Sequence, residues 1–411
     1  MKDIIVLGGG PSGMMAAIAA KNENNNVTLI EQNEKLGKKL YITGKGRCNI
    51  TNYRDISEFF TQMNRNGKFL YSSFYTFTNM DILDLLSKNG LEYKVERGER
   101  VFPKTDKSSD VIKTFKKILV DKEISLIFNQ KIKYIEKRKS KFYLYSKDER
   151  YSCDYLVVAT GGLSYQSTGS TGDGYKFAKN FGLNITQTYP GLVGVNLKGD
   201  LYKKLTGVNL KNVEITLLKD NKKFKTDFGE ALFTHYGISG PIILSLSSLI
   251  YPNSKYSISI DLKPGLNISQ LDDRINRDFN KYLNKDIENG LKDLLIKSLI
   301  EPILFNAEIP KDKKINQITK EERARLVKAI KQFEFDIAGL RDFNEAIVTR
   351  GGIDVVEIDS STMESKKVQG LYFTGEVLDL DGFTGGYNLQ IAYSTGFLAG
   401  NSIKEKSNDN K

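Results

Sequence analysis

The first thirty-one residues restrict the fold more than any other stretch of this chain. Ile4-Ile5-Val6-Leu7 is a short, apolar, partly β-branched run, the pattern of a strand buried on both faces. Gly8-x-Gly10-x-x-Gly13 follows directly. Next come residues 14–21, small and helix-like, a polar loop over 22–26, and a second apolar run, Val27-Thr28-Leu29-Ile30, that ends at Glu31. Each glycine has a mechanical reason: Gly8 permits a tight turn, Gly10 lets a pyrophosphate approach the backbone, and Gly13 lets helix and strand pack closely. Pro11 and Ser12 open the helix, whose free N–H groups and dipole favour phosphate. Glu31, with Gln32 beside it, stands at the tip of the second strand. A carboxylate there accepts hydrogen bonds from ribose hydroxyls and disfavours a 2′-phosphate. A GxGxxG alone is weak, but in register with two strands, a helix and an acid it predicts a dinucleotide-binding α/β domain of Rossmann type.

At 411 residues the chain exceeds what one core usually supports, so two or three domains are expected. No run of eighteen apolar residues occurs, which predicts no membrane partner. Residues 4–20 superficially resemble a signal peptide, but Gly8-Gly9-Gly10-Pro11 interrupts the apolar run. The only two cysteines, Cys48 and Cys153, have no C-x-x-C spacing, and together these features predict a cytoplasmic location. A single histidine, His235, argues against a His-rich metal site, and no metal is predicted. The formal charge of +11 fits either an anionic partner or lysines spread over solvated faces. Acidic residues interleaved with the lysines favour the second, so nucleic acid is not the leading partner. The oligomeric state stays open.

Along the chain, residues 55–125 read as mixed and helical, with aromatics concentrated over 59–77. Stretches 125–128, 132–137 and 142–146 suggest an antiparallel meander, and Tyr155 to Ala159 returns to the buried parallel type before Thr160-Gly161-Gly162. The character changes after Pro190: residues 191–265 alternate as strands and 266–343 carry helical patterns. Strand and glycine-turn features resume from Asn344. The expected organisation is a first part of the dinucleotide domain (1–190), a β-rich insert (191–265), a helical insert (266–343), the second part of the dinucleotide domain (344–404) and a disordered tail (405–411).

Two further glycine-rich segments extend the ligand. Leu-Tyr-Ile-Thr-Gly44-Lys-Gly46-Arg47-Cys48-Asn49-Ile-Thr-Asn can run beside a ligand that continues past its pyrophosphate. Leu371-Tyr372-Phe373-Thr374-Gly375-Glu376 is a strand stopping at a glycine and an acid, and residues 381–389 lead into a last helix. Its N-terminal N–H groups suit negative charge on a reduced flavin. With residues 8–13, 38–52, 100–103, 159–162, 229–241 and 362–396, the chain resembles the BaiN-type flavoproteins among the two-dinucleotide-fold FAD oxidoreductases. GKGRCNITN and GEVLDLDGFTGGYNLQ carry most of that resemblance. Where some relatives have tryptophan early in the last helix, this chain has Ile391-Ala392-Tyr393.

The resemblance implies an α/β, Rossmann-type FAD-binding domain with an inserted β-barrel-like domain and a helical domain. It implies that Gly8, Gly10, Pro11, Ser12, Gly13, Glu31 and Gln32 hold the ADP half of FAD. Lys39, Gly44, Gly46, Arg47 and Asn49 would lie along the ribityl–flavin part, with Thr160 and Gly161 beside the cofactor. Gly375, Glu376, Gly386, Asn388 and Leu389 would close from the C-terminal side, and a strand beginning near Ile132 would contact adenine.

Three side chains are candidates for substrate chemistry. Arg100 can pair with an anionic group or form a surface salt bridge, and Arg47 can stabilise a reduced flavin or anchor its loop. His235, the only imidazole, can move protons near neutrality or serve as a structural hydrogen-bonding group. Cys48 has no second cysteine near it in sequence, against a disulfide relay. No second strand–GxGxxG–helix unit is present, so a dedicated NAD(P)H domain is not expected; transient reduction by NAD(P)H and reduction by an amine-type substrate with molecular oxygen as acceptor both stay open. The leading expectation is an FAD-dependent oxidoreductase acting on a small organic substrate. The alternative is an FAD protein that binds or modifies RNA.

Overall fold

The buried run after the N-terminus becomes the centre of a parallel sheet. The structure, a computed structural model, describes residues 1–409. The chain forms two compact units, one from residues 1–191 with residues 342 onward, the other from residues 192–341. In the first, β1 (Lys2–Leu7) lies between β2 (Asn25–Ile30) and the strand Tyr155–Val158. Leu371–Phe373 and Ser125–Ile127 complete five strands, all parallel. Leu7 stands opposite both Ile30 and Val158, and Val158 opposite Phe373. The turns after these four strands (at Gly8, Glu31, Ala159 and Thr374) therefore open on one edge, where ligands of such sheets bind.

The helix α1 (Pro11–Ala20) has no polar face: every residue from Ser12 to Ala20 is buried. It packs on the sheet and against the last helix, Tyr387–Asp409. Small residues make that second contact possible. A Cβ on Gly396 would stand 2.2 Å from the Ser12 carbonyl oxygen, and one on Gly400 2.3 Å from that of Ala16.

Several sequence expectations change here. Ser125–Ile127 does not join the meander; it follows the helix Ser108–Asp121 and pairs in parallel with β2, as a crossover connection requires. The meander is instead Tyr134–Arg138, Lys141–Tyr145 and Arg150–Cys153, so Ile132 precedes its first strand. Of the expected disordered tail, residues 405–409 continue the last helix. Ser407 is buried with its hydroxyl on the Ile403 carbonyl, and Lys406 pairs with Glu364. Residues 410–411 lie outside the described residues.

The second unit is a closed six-stranded antiparallel barrel, ordered Val195–Leu197, Gly237–Ser239, Lys222–Thr234, Asn209–Lys219, Tyr256–Asp261 and Phe333–Leu340. Alternation sets its interior: Tyr256, Ile258 and Ile260 point inward from one strand. The helices Ile268–Lys281 and Lys320–Lys331 start in capping boxes at Asn267/Gln270 and Thr319/Glu322. Their apolar faces join the barrel's own core, from Val195 to Ile337. The expected separate β-rich and helical inserts are thus one body, because Phe333–Leu340 is the strand that closes the barrel. No helix among the described residues is long and apolar enough to cross a membrane.

Since the Gly396 position is filled by backbone of α1, Gly396→Val should destabilise the protein by about 3 kcal/mol, the upper range for overpacking. Urea unfolding followed by circular dichroism would measure it, and an unchanged midpoint would contradict the packing described.

Candidate active site

The turn after β1 separates packing glycines from an open one. Gly8 has φ +105°, and a Cβ there would meet the Ala159 carbonyl oxygen at 2.4 Å. A Cβ on Gly13 would stand 1.9 Å from the Gly8 carbonyl oxygen. Around the Cβ position of Gly10 there is nothing within 4 Å, and Gly10 caps α1 with ordinary extended angles and no side-chain hydrogen bond. The N-terminus of α1 thus faces open space, as a pyrophosphate requires. Ser12 turns away from it, its hydroxyl donating to Thr374 Oγ1 at 2.6 Å.

At the tip of β2, Glu31 is buried and braces the turn. Its Oε2 accepts the Gly9 N–H (2.6 Å), and its Oε1 accepts the backbone and side-chain N–H groups of Asn33 (2.8 and 2.7 Å). A carboxylate has about four acceptor positions, so Oε2 retains one for a ribose hydroxyl. Gln32 donates to the Gly169 carbonyl, holding the neighbouring 165–170 turn. The Gln130 N–H donates to the Glu31 carbonyl (3.1 Å), which brings the segment leading to Ile132 alongside the same strand end.

Lys39 and Glu376 meet across 337 residues of sequence. Lys39 Nζ lies 2.5 Å from Glu376 Oε2 and 2.5 Å from Ser164 Oγ, and the Ser164 hydroxyl donates to Glu376 Oε1. The Thr349 N–H adds a bond to Oε1 at 2.9 Å, while Thr349 Oγ1 accepts the N–H groups of Leu163 and Ser164. Burial pushes the Glu376 carboxyl up, but the Lys39 charge and these hydrogen bonds prevail and hold it below its ordinary value. Ser164 and Thr349 were not legible in the sequence; neither lies in a motif.

The GKGRC turn is left-handed at Gly44, Lys45, Gly46 and Cys48. Around Gly46 a Cβ would meet nothing within 4 Å. Arg47 points back into the protein: Asp106 and Glu96 accept its guanidinium at 2.5 Å each, and it lies 4.0 Å over the Phe102 ring. Cys48 is buried and unpaired, its thiol pushed up to about 12 by burial, and burial also raises Cys153. Neither is a thiolate near neutrality. Arg100 is exposed and donates to the Arg97 carbonyl (3.0 Å), with no carboxylate partner among the described residues. In the other unit, His235 is exposed in the turn between two barrel strands, edge-on to the Tyr236 ring at 5.1 Å.

The segments from the two ends of the chain close on each other. Asn52 Nδ2 donates to the Gly385 carbonyl (3.1 Å), Thr51 Oγ1 to Gln390 Oε1 (2.8 Å), and a Cβ on Gly386 would lie 2.4 Å from Thr51 backbone. Asn388 pins the intervening loop by accepting the Gly382 N–H and donating to the Gly382 and Phe383 carbonyls. Leu389, next to it, is half-buried.

Beneath that loop lies an acidic pair that the sequence did not advertise. Asp379 is held by Arg65 (3.1 Å), and Asp381 accepts Asn64 Nδ2 (2.8 Å). Burial pushes the Asp381 carboxyl up to about 6; Asp379 adds to the rise, against Asn64, the buried Arg350 and Arg65.

These residues fit an extended dinucleotide. Open space stands over Gly10 and Gly46, Gly161 continues the left-handed turn after Thr160, and the buried Asn49 Oδ1 and Thr160 Oγ1 have no partner among the described residues. Buried polar atoms are rarely left so, and the hydroxyls and ring edges of FAD supply such partners.

Two outcomes follow from this geometry. Because Gly10→Val would clash only with a ligand, the variant should fold with unchanged stability and lose its flavin absorbance; normal flavin content would refute the cradle. A carboxyl raised from 3.8 to about 6 costs stability as pH climbs through that interval. Relative to the parent, Asp381→Asn should therefore gain about 2–3 kcal/mol in unfolding free energy between pH 4 and pH 7, and parallel pH profiles would contradict it.

Comparison with known proteins bears on family and cofactor. A model for the HI0933-like protein Rossmann domain matches residues 2–402. The ribosomal RNA dihydrouridine synthase of Escherichia coli (strain K12) is 32% identical over 98% of both chains, and that of Haemophilus influenzae is 32% identical, again over 98% of each. The 3-dehydro-bile acid delta(4,6)-reductase of Clostridium scindens is 29% identical over 99% of this chain and all of its own. In fold, the chain is similar to the 3-ketosteroid-delta4-(5alpha)-dehydrogenase of Rhodococcus jostii RHA1, with a TM-score of 0.53 at 13% identity over 98% of this chain and 96% of that one. The flavoprotein resemblance read from the motifs is borne out, and with it the cofactor. A family model spanning nearly the whole chain, over a cradle open where FAD needs space, makes this protein an FAD-dependent oxidoreductase belonging to the HI0933-like protein Rossmann domain family.

Proposed function

We propose that the protein reduces a carbon–carbon double bond conjugated to a carbonyl, drawing on NAD(P)H. The observation that carries this reading is a bond type shared by relatives aligned end to end. Dihydrouridine is uridine with C5=C6 saturated, and that bond is conjugated to a ring carbonyl. A 3-dehydro-delta(4,6) bile acid presents the same arrangement in a steroid. The net reaction adds one hydride and one proton across the double bond and converts NAD(P)H to NAD(P)+. When bound, FAD supplies the hydride-transfer chemistry.

The chain's own residues supply position and charge. Lys39, held by Glu376 and Ser164, presents a fixed cation. Arg47, committed to Glu96 and Asp106, anchors its loop. Arg100, exposed and without an ion pair among the described residues, is assigned to the substrate's carbonyl oxygen or to an anionic group near it. His235 remains the candidate for proton transfer, as the only imidazole and an exposed one. Two unpaired thiols accord with a reducing, cytoplasmic setting.

Between a small enone and uracil within RNA, we favour RNA. Two of the full-length relatives carry that name, and the charge of +11 suits a polyanion. Anaerobically, NADPH or NADH should bleach the flavin, and a uridine-containing ribosomal RNA transcript should restore its colour. Restoration by 2-cyclohexen-1-one alone would assign a small enone instead. Bleaching by an amine, with no response to either nicotinamide, would overturn the reductase reading in favour of an oxidase.

A further inference from the structure

The barrel carries a cationic tip that the FAD site does not use. Strands Asn209–Lys219 and Lys222–Thr234 form a hairpin, turned by Asp220 and Asn221, both at positive φ as a tight two-residue hairpin turn requires. Lys219 and Lys222 face each other at the turn, with Lys223 and Lys225 just beyond. Lys255 joins them, because the Asp220 N–H donates to the Lys255 carbonyl (2.9 Å) and the Lys255 N–H to Asp220 Oδ1 (3.1 Å).

Five lysines are therefore gathered at this turn of the barrel, and none of the five forms an ion pair among the described residues. Elsewhere in the same unit Lys203, Lys204, Lys313, Lys314 and Lys331 each face an acid. Unpaired like charges repel one another, so such a cluster is stabilised by an anionic partner.

An aromatic ring stands among these charges. The strand register shifts between Leu217, opposite Lys225, and Leu218, opposite Lys223, which leaves Phe224 as the extra residue of a β-bulge. Bulges re-aim side chains, and Phe224 is 50% exposed with the Lys219 ammonium 5.7 Å from its ring. Phe228 on the same strand is 55% exposed. Lysines interleaved with exposed aromatic rings can grip phosphates and stack bases at once, the pattern of single-stranded nucleic-acid binding.

We infer that this hairpin is an RNA-binding surface, with Lys219, Lys222, Lys223, Lys225 and Lys255 on backbone phosphates and Phe224 stacked on an unpaired base. The inference rests on the reading that the substrate is uracil within RNA, and it adds where on the protein that RNA is held.

The test uses the full-length, FAD-loaded protein and a labelled single-stranded fragment of ribosomal RNA, titrated at several salt concentrations. Replacing Lys222, Lys223 and Lys225 together by Gln should remove about three phosphate contacts. That lowers the slope of log affinity against log salt by about 2 and weakens binding about 100-fold near 0.1 M salt. Phe224→Ala should cost about tenfold with the slope unchanged, and the triple Arg variant should bind like the parent. Flavin reduction by NADPH should stay at the parent rate in every variant, which shows that the fold is kept. If the parent fails to bind RNA even at about 20 mM salt, where electrostatic binding is strongest, the RNA reading itself falls. If the parent binds and the triple Gln variant matches it in affinity and slope, the hairpin assignment is overturned and the RNA reading stands. Hairpin-dependent binding to phosphatidylserine vesicles, without hairpin-dependent RNA binding, would overturn it in favour of a membrane surface.

Discussion

The first and last helices of the dinucleotide domain touch backbone to backbone, and the cofactor site depends on that contact. Gly396 and Gly400 meet the carbonyl oxygens of Ser12 and Ala16 at distances no side chain could share. Such an approach trades side-chain volume for position. It sets the strand end Thr374-Gly375 against Ser12, where the hydroxyls of Ser12 and Thr374 are hydrogen-bonded and a Cβ on Gly375 would lie 2.8 Å from that of Ser12. Glu376 follows one residue later and reaches Lys39. The turn after β1 and the Lys39–Glu376 pair are thereby registered by the packing of one pair of helices, which explains why α1 carries alanines where an exposed helix would carry charge.

Electrostatics in the site follows from the same closure. A carboxylate as enclosed as Glu376 would ordinarily take up a proton, but Lys39, Ser164 and the Thr349 N–H keep it ionised. Asp381 shows the opposite balance. The hydrogen bond from Asn64 and two arginines at longer range do not offset burial beside Asp379. Two acids five residues apart in one sequence motif thus have their pKa values shifted in opposite directions, Glu376 down and Asp381 up.

Much of this was legible in the sequence where local geometry is dictated by residue type. Gly8, Gly10 and Gly13 behave as strand–turn–helix mechanics requires, and Glu31 sits where a strand of that length must end. The GKGRCNITN and GGYNLQ segments proclaim a flavoprotein, yet nothing in them shows that Thr51 and Asn52 would bond Gln390 and Gly385. Contacts between residues more than three hundred positions apart leave no local pattern. The Asp379–Arg65 pair went unnoticed for that reason, and Ser164 and Thr349 because their contacts across 185 and 212 positions also lie outside any motif. The edge strand Ser125–Ile127 was misplaced because a short apolar run does not declare its partner, and the helical residues 405–409 looked like a tail because polar composition hid an i,i+4 bond at Ser407 and a partner at Glu364. The barrel's closing strand, Phe333–Leu340, alternates as a strand does but was missed because it follows directly on a helical block.

The interleaving of the two ends also has a consequence in time. Ser12 meets Thr374 at a sequence separation of 362, so a ribosome adding about 10 residues per second completes the glycine turn roughly half a minute before its partner emerges. During that interval α1 has an uncovered apolar face and the nascent chain has only half a cradle. The barrel unit, whose strands and helices all lie within residues 192–341, can fold meanwhile on its own local contacts. A chain truncated before the last helix would carry a complete glycine turn without the residues that pack against it from the C-terminal end.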